Sequence, residues 1–168
     1  MFRHDGVALF ADERNAADLR GAGADASLES WLGAHFSRLA PGDYAATLAY
    51  VEQNGPHMRA LQELRTLVRD RKRVASCLGF GPRFLRSTGQ AYNGGPNSGV
   101  FLQITADDPH DLVVPGRNVS FGIVKAAQAR GDFRVLAERG RRVLRAHLSG
   151  DLQAGLNELD DAARRALA

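Results

Sequence analysis

Cysteine is nearly absent from the chain: Cys77 is the only one among 168 residues. A lone thiol excludes an internal disulfide, and its place in the apolar run RVASCLGF reads as small core filling. Long hydrophobic runs are missing too. Nothing approaches the roughly 18 consecutive apolar residues of a membrane span. The start, MFRHDGVALFADE, lacks the charged-then-apolar order of a secretion signal because Asp12 and Glu13 interrupt it. A cytoplasmic protein with no membrane partner is expected.

Charge of one sign is scarce, since 22 Lys and Arg face 19 Asp and Glu, and aromatic residues make up only 7 %. The basic segments RTLVRDRKR and RGRRVLR are interrupted or flanked by acids, so they read as solvated helix faces rather than a nucleic-acid surface. The histidines His4, His35, His57, His110 and His147 show no spacing of three or four residues and no cysteine company, which argues against zinc. A P-loop and a nucleophile elbow are also missing.

What is present describes one ordinary folded domain, 44 % apolar and 24 % charged, long enough to bury a core unaided. Gly6 to Phe10 reads as an edge strand, and a polar stretch leads from it to GAGADA at Gly21 to Ala26. That hexapeptide matches the spacing of a dinucleotide fingerprint, but Asp12 to Arg20 is charged where the fingerprint needs an apolar strand, so it reads as a connector. The division expected is residues 1–26 as strand and connector and 27–168 as a single α/β domain.

Within that domain Ser27 caps a helix whose Leu28, Trp31, Leu32, Phe36 and Leu39 share one face until Pro41. Tyr44 to Val51, Val74 to Phe80, Val100 to Ala106 and Arg142 to Leu148 read as strands. Between the first two, Pro56 opens a helix carrying Met58, Leu61, Leu64 and Val68 inward. A helix from about Val119 is expected to break and restart at Gly131 and Asp132 and to stop at Gly140, and Asp151 caps a last one with Leu152, Leu156 and Leu159 inward. Strands alternating with helices predict a doubly wound, mainly parallel sheet of four to five strands with helices on both faces.

The stretch GFGPRFLRSTGQAYNGGPNSG, Gly79 to Gly99, holds six glycines and two prolines between two of these strands. It reads as a ligand-facing loop leaving the carboxyl end of a strand, where such sheets bind ligands.

Together with this loop, TLAYVE, VPGRNVSFGIVKAAQARGDF and LAERGRRVLRAHL resemble the C-terminal lobe of the phosphoglucose isomerase half of bifunctional transaldolase/phosphoglucose isomerases, over roughly Asp5 to Ala163. The resemblance implies a sugar-isomerase (SIS) domain of flavodoxin-like architecture. It also implies interconversion of glucose 6-phosphate and fructose 6-phosphate through a cis-enediol, with no metal and no cofactor, by a carboxylate base assisted by histidine and lysine.

On that resemblance Lys125 is the catalytic lysine, and Arg86, Ser87, Thr88, Gln90, Tyr92, Asn93, Gly94 and Gly95 face the sugar phosphate. Two positions depart from the family pattern. Arg86 stands where relatives carry histidine, and Asn93 where they carry lysine, and neither can exchange protons near neutral pH.

Asp70 is the only carboxylate near the place of the family's base. In this family serine and threonine of a preceding SIS lobe hold the phosphate. A second SIS domain, a transaldolase domain or a second protomer would therefore complete the site, and a homo-oligomer is expected. The alternative is a non-catalytic sugar-phosphate-binding or interaction module with the same fold. An exposed apolar patch beside the site would favour the shared-site reading.

Overall fold

The computed structural model describes residues 2–168. Apolar alternation resolves into one six-stranded sheet: β1 (Phe2–His4), β2 (Val7–Phe10), β3 (Tyr44–Tyr50), β4 (Ala75–Phe80), β5 (Gly99–Ala106) and β6 (Arg142–Leu148). Their spatial order is β1-β2-β6-β5-β3-β4. The last four are mutually parallel, and β1 and β2 add an antiparallel hairpin against β6. The sheet therefore has one strand beyond the four to five expected, and the stretch before position 27 supplies two of its strands and then a helix at Glu13–Gly21, where a connector is expected.

Six helices cover the sheet: α1 (Glu13–Gly21), α2 (Leu28–Ser37), α3 (Gly55–Lys72), α4 (Thr88–Gly94), α5 (Phe121–Glu138) and α6 (Leu152–Ala166). The two-residue period of the strands separates two cores. Ala45, Ala49, Leu102, Ile104, Leu144 and Ala146 face the layer of α2, α3 and α6. Ala46, Leu48, Tyr50, Phe101 and Val143 face α4 and α5. The fold is doubly wound and flavodoxin-like.

Each helix of eight residues or more begins where a short polar side chain accepts a backbone N–H three residues on: Asp12, Ser27, Asn54, Ser120 and Asp151. These caps satisfy donors that the first turn leaves free. At α6 the Asp151 carboxylate accepts from Ala154 N at 2.7 Å. Asp151→Ala is expected to cost about 1 kcal/mol in urea unfolding.

Two expectations are corrected. Gly131 and Asp132 do not break the fifth helix, which runs unbroken for 18 residues. The Asp132 side chain is buried and bonded to Tyr50 and Gln103, and such contacts outweigh the roughly 1 kcal/mol that a helical glycine costs. The glycine-rich stretch is not an open loop either. It forms a 3₁₀ turn at Arg83–Arg86 and then α4, because Phe84 and Tyr92 fold inward as core. Gly81 is needed at its start, since a Cβ there would collide with the Tyr50 ring.

Candidate active site at the carboxyl edge of the sheet

From β3 the chain winds outward to β4 through α3 on one face, and from β5 to β6 through α5 on the other. The carboxyl ends of β3 and β5 therefore flank the point where the winding reverses, which is where doubly wound sheets open a crevice. A cavity of about 270 Å³ lies there, lined by Phe10, Tyr50, Thr105, Ala106, Asp108, Lys125, Ala126, Ala129, Arg130, Arg145 and His147.

Strand register builds its floor. Ala8, His147, Thr105 and Tyr50 form one row of directly opposed residues, and Phe10, Arg145, Gln103 and Leu48 form the next row inward. Alternation on β6 is what brings Arg145 and His147 to the same side. The roof is the first half of α5, where Lys125 and Ala129 are one turn apart and the small alanine lets the helix sit close to the sheet.

Lys125 forms an ion pair with Asp108 on the rim. Beside it, His147 Nε2 lies 3.1 Å from Asp107 Oδ1 and Nδ1 lies 2.9 Å from Thr105 Oγ1. Since the carboxylate can only accept, Nε2 carries a proton, and in the neutral ring Nδ1 accepts the threonine hydroxyl. A hydroxyl, an imidazole and a carboxylate thus run in series along the cavity wall, an arrangement that can pass a proton.

Under this wall Tyr50 donates to Asp132 Oδ2 at 3.3 Å, and Gln103 Nε2 donates to the same oxygen at 3.3 Å and to Ala129 O at 3.0 Å. Burial raises the Asp132 carboxyl to about 6, against the pull of donors on Tyr50, Gln103 and Asn93. A carboxyl with a folded pKa above its unfolded value binds a proton on folding, so stability is lost as pH rises from about 4 to about 6 and levels off above that. Asp132→Asn is expected to gain about 2 kcal/mol at pH 7 and to flatten that slope, as followed by thermal unfolding across pH.

Of the residues singled out in the sequence, the structure puts Lys125 in this cavity. Arg86, Ser87, Thr88 and Gln90 are exposed on the 3₁₀ turn and the start of α4, and none of them lines it. Tyr92 does not line it either. It is 7 % exposed, packs between Phe84 and Phe101, and its hydroxyl meets Cys77 Sγ at 3.2 Å.

Asn93, Gly94 and Gly95 end α4 at the opposite edge of the sheet. There the Asn93 carbonyl accepts from Arg139 and Arg141, and the Gly95 carbonyl accepts from Arg141. None of the three lines the cavity, although the Asn93 side chain lies beside the buried Asp132, which in turn bonds Tyr50 of the cavity wall. Asp70 lies on α3, on the other face, paired with Arg69 Nε at 2.6 Å.

Sequence reasoning missed Thr105, Asp107, Asp108, Arg130, Arg145 and His147. For Thr105, Arg145 and His147 the signal is the strand period on β5 and β6, which sets Gln103, Thr105, Arg145 and His147 on one face, opposite a face that is apolar apart from Arg142. Among the described residues, the large apolar side chains most open to solvent are Leu112, Val113, Val119, Phe121, Ile123 and Val124. All belong to the β5–α5 connection or the first turn of α5, against the rim that holds Asp108 and Lys125.

Among the described residues no helix is long and apolar enough to cross a membrane. No protein-family model and no curated protein sequence matches the chain. Among solved structures it is similar to a hypothetical protein from Thermus thermophilus, at 16 % identity and a TM-score of 0.64, over 91 % of this chain and 43 % of that one. The chain thus spans less than half the length of that neighbour, and the likeness shows a doubly wound α/β fold.

Proposed function

We propose that this chain is a sugar-phosphate isomerase lobe, interconverting glucose 6-phosphate and fructose 6-phosphate at a site that a second lobe or protomer completes. The observation that carries the reading is Lys125. The motif that resembles the isomerases sets it in a cavity at the winding reversal, beside the Thr105–His147–Asp107 series.

The reaction needs a proton moved between neighbouring carbons and charge stabilised on an oxygen. His147 can exchange the proton of a ring or hydroxyl oxygen, and the Lys125 ammonium can donate to the oxyanion of the enediol. The carboxylate that takes the carbon-bound proton comes from the partner lobe, since Asp70 is remote.

The exposed apolar side chains at Leu112 to Val124 support a shared site, because they border the cavity and an unpartnered patch of this kind marks a docking surface. A second reading, a binding module without turnover, is favoured by Arg86 and Asn93, which cannot titrate.

A coupled assay of fructose 6-phosphate conversion, run over a range of protein concentrations, tests the proposal. Specific activity that rises with concentration as dimers form is the expected result. Folded protein with no turnover at any concentration would leave the binding module.

A further inference from the structure

Lys125 and His147 occupy the end of the cavity at the carboxyl edge of the sheet and leave the other end to two cations, the half-buried Arg145 and the exposed Arg130. We infer that Arg130 and Arg145 form a binding site for the phosphate group of a phosphate monoester, so that a phosphorylated sugar lies with its phosphate at that end and its reacting carbons toward Lys125 and His147. The assignment deepens the isomerase reading and rests on it only for the identity of the sugar.

Arg145 is held in one place. Its guanidinium sits 4.5 Å over the Phe10 ring and 5.4 Å from that of Phe133, and a planar cation between two rings has little freedom to turn. Its Nε is buried and has no partner. Among the described residues neither Arg145 nor Arg130 forms an ion pair.

The acids nearest the cavity are engaged elsewhere, Asp107 by His147 and Asp108 by Lys125. Asp12 and Glu13 lie across a separate groove between α1 and α5 that Arg130 also borders. Burial lowers the Arg145 pKa and the Arg130 charge lowers it further, so two cations are held within reach of each other without a counterion. A doubly charged phosphate relieves that repulsion and supplies acceptors in the fork geometry that guanidinium donors favour.

The resemblance would place the phosphate on serine and threonine of a preceding lobe; this pair of arginines would hold it within the chain itself. The charge pattern favours an anion over a neutral ligand at this end, since the two guanidinium groups have no acid paired with them.

Calorimetric titration with inorganic phosphate, glucose 6-phosphate and glucose tests the inference on the purified chain and on Arg130→Gln, Arg145→Gln and Arg134→Gln. Both phosphates are expected to bind and glucose is not. Arg130→Gln and Arg145→Gln should each weaken phosphate by about tenfold or more. Arg134→Gln removes the same charge from the same helix outside the cavity, one turn from Arg130, and should weaken phosphate by no more than about threefold, since an exposed charge already paired with Glu138 acts only weakly through water.

Arg130 is exposed, so its variant reports on binding even if Arg145→Gln, stripped of its ring contacts, fails to fold. No phosphate binding below about 10 mM, or equal weakening by Arg134→Gln, overturns the inference. Phosphate binding without turnover removes the isomerase and keeps the anion site. Turnover with phosphate affinity unchanged in Arg130→Gln does the reverse.

Discussion

Lys125→Ala is expected to lower kcat for isomerisation by at least about 10²-fold while leaving the protein folded. The reasoning separates what the side chain does for the fold from what it does for a substrate. Its partner Asp108 keeps 30 % of its side-chain surface exposed and Lys125 itself keeps 22 %. A partly exposed pair of this kind contributes about 1 kcal/mol or less. Far-UV circular dichroism and urea unfolding should therefore match the parent protein.

In the proposed reaction the same ammonium would face an oxyanion inside a cavity that is partly closed to water, where a fixed positive charge acts much more strongly. The loss should appear in kcat more than in KM, because an interaction made chiefly in the transition state lowers kcat. Asp108→Asn gives the complementary test. It releases Lys125 from its ion pair without removing it, so activity should persist. An alanine variant with undiminished kcat would take Lys125 out of the chemistry.

The second large effect concerns Tyr92. Tyr92→Ala is expected to destabilise the protein by about 3–4 kcal/mol, a substantial part of the 5–15 kcal/mol typical of a domain. The ring is enclosed by Tyr44, Phe84 and Phe101, with centroids 6.1, 6.2 and 5.4 Å away. Truncation removes a large apolar surface and leaves a cavity walled by rigid rings that cannot collapse into it.

Its hydroxyl adds little, since the bond to Cys77 is a weak one to sulfur. Tyr92→Phe should accordingly cost under about 1 kcal/mol. Urea unfolding of both variants separates core packing from ligand contact. If Tyr92→Ala instead weakened sugar-phosphate binding at unchanged stability, the residue would belong to the site after all. Ser87→Ala, on the exposed turn nearby, should stay within about 0.5 kcal/mol of the parent.

The contrast between these two residues explains which features were legible in the chain. Lys125 stands near the start of a helix that Ser120 caps. Its place near a helix start is local, and local placement is what periodicity and capping express. Tyr92 lies in a stretch rich in glycine, hydroxyl and amide groups, which looks like a binding loop. Only the inward turn of Phe84 and Tyr92 reveals it as a crossover packed on the sheet.

The same limit applies at Gly131 and Asp132. Composition there suggests a helix break, but burial of the Asp132 side chain against Tyr50 and Gln103 holds the helix together. Nothing in the order of residues announces a contact between positions 50 and 132.

Strands β2 to β6, the helices α2, α3, α5 and α6, the doubly wound class and the absence of a membrane-spanning run could be read from the chain, because hydrophobic period and cap residues act over a few neighbours; β1, α1 and α4 could not. The site could not. Thr105 meets His147 across 42 positions and Phe10 meets Arg145 across 135, through strand register that is fixed only when β2, β5 and β6 pair. Sequence set which faces of those strands would be polar; the sheet decided that those faces would meet under α5 and close a cavity around them.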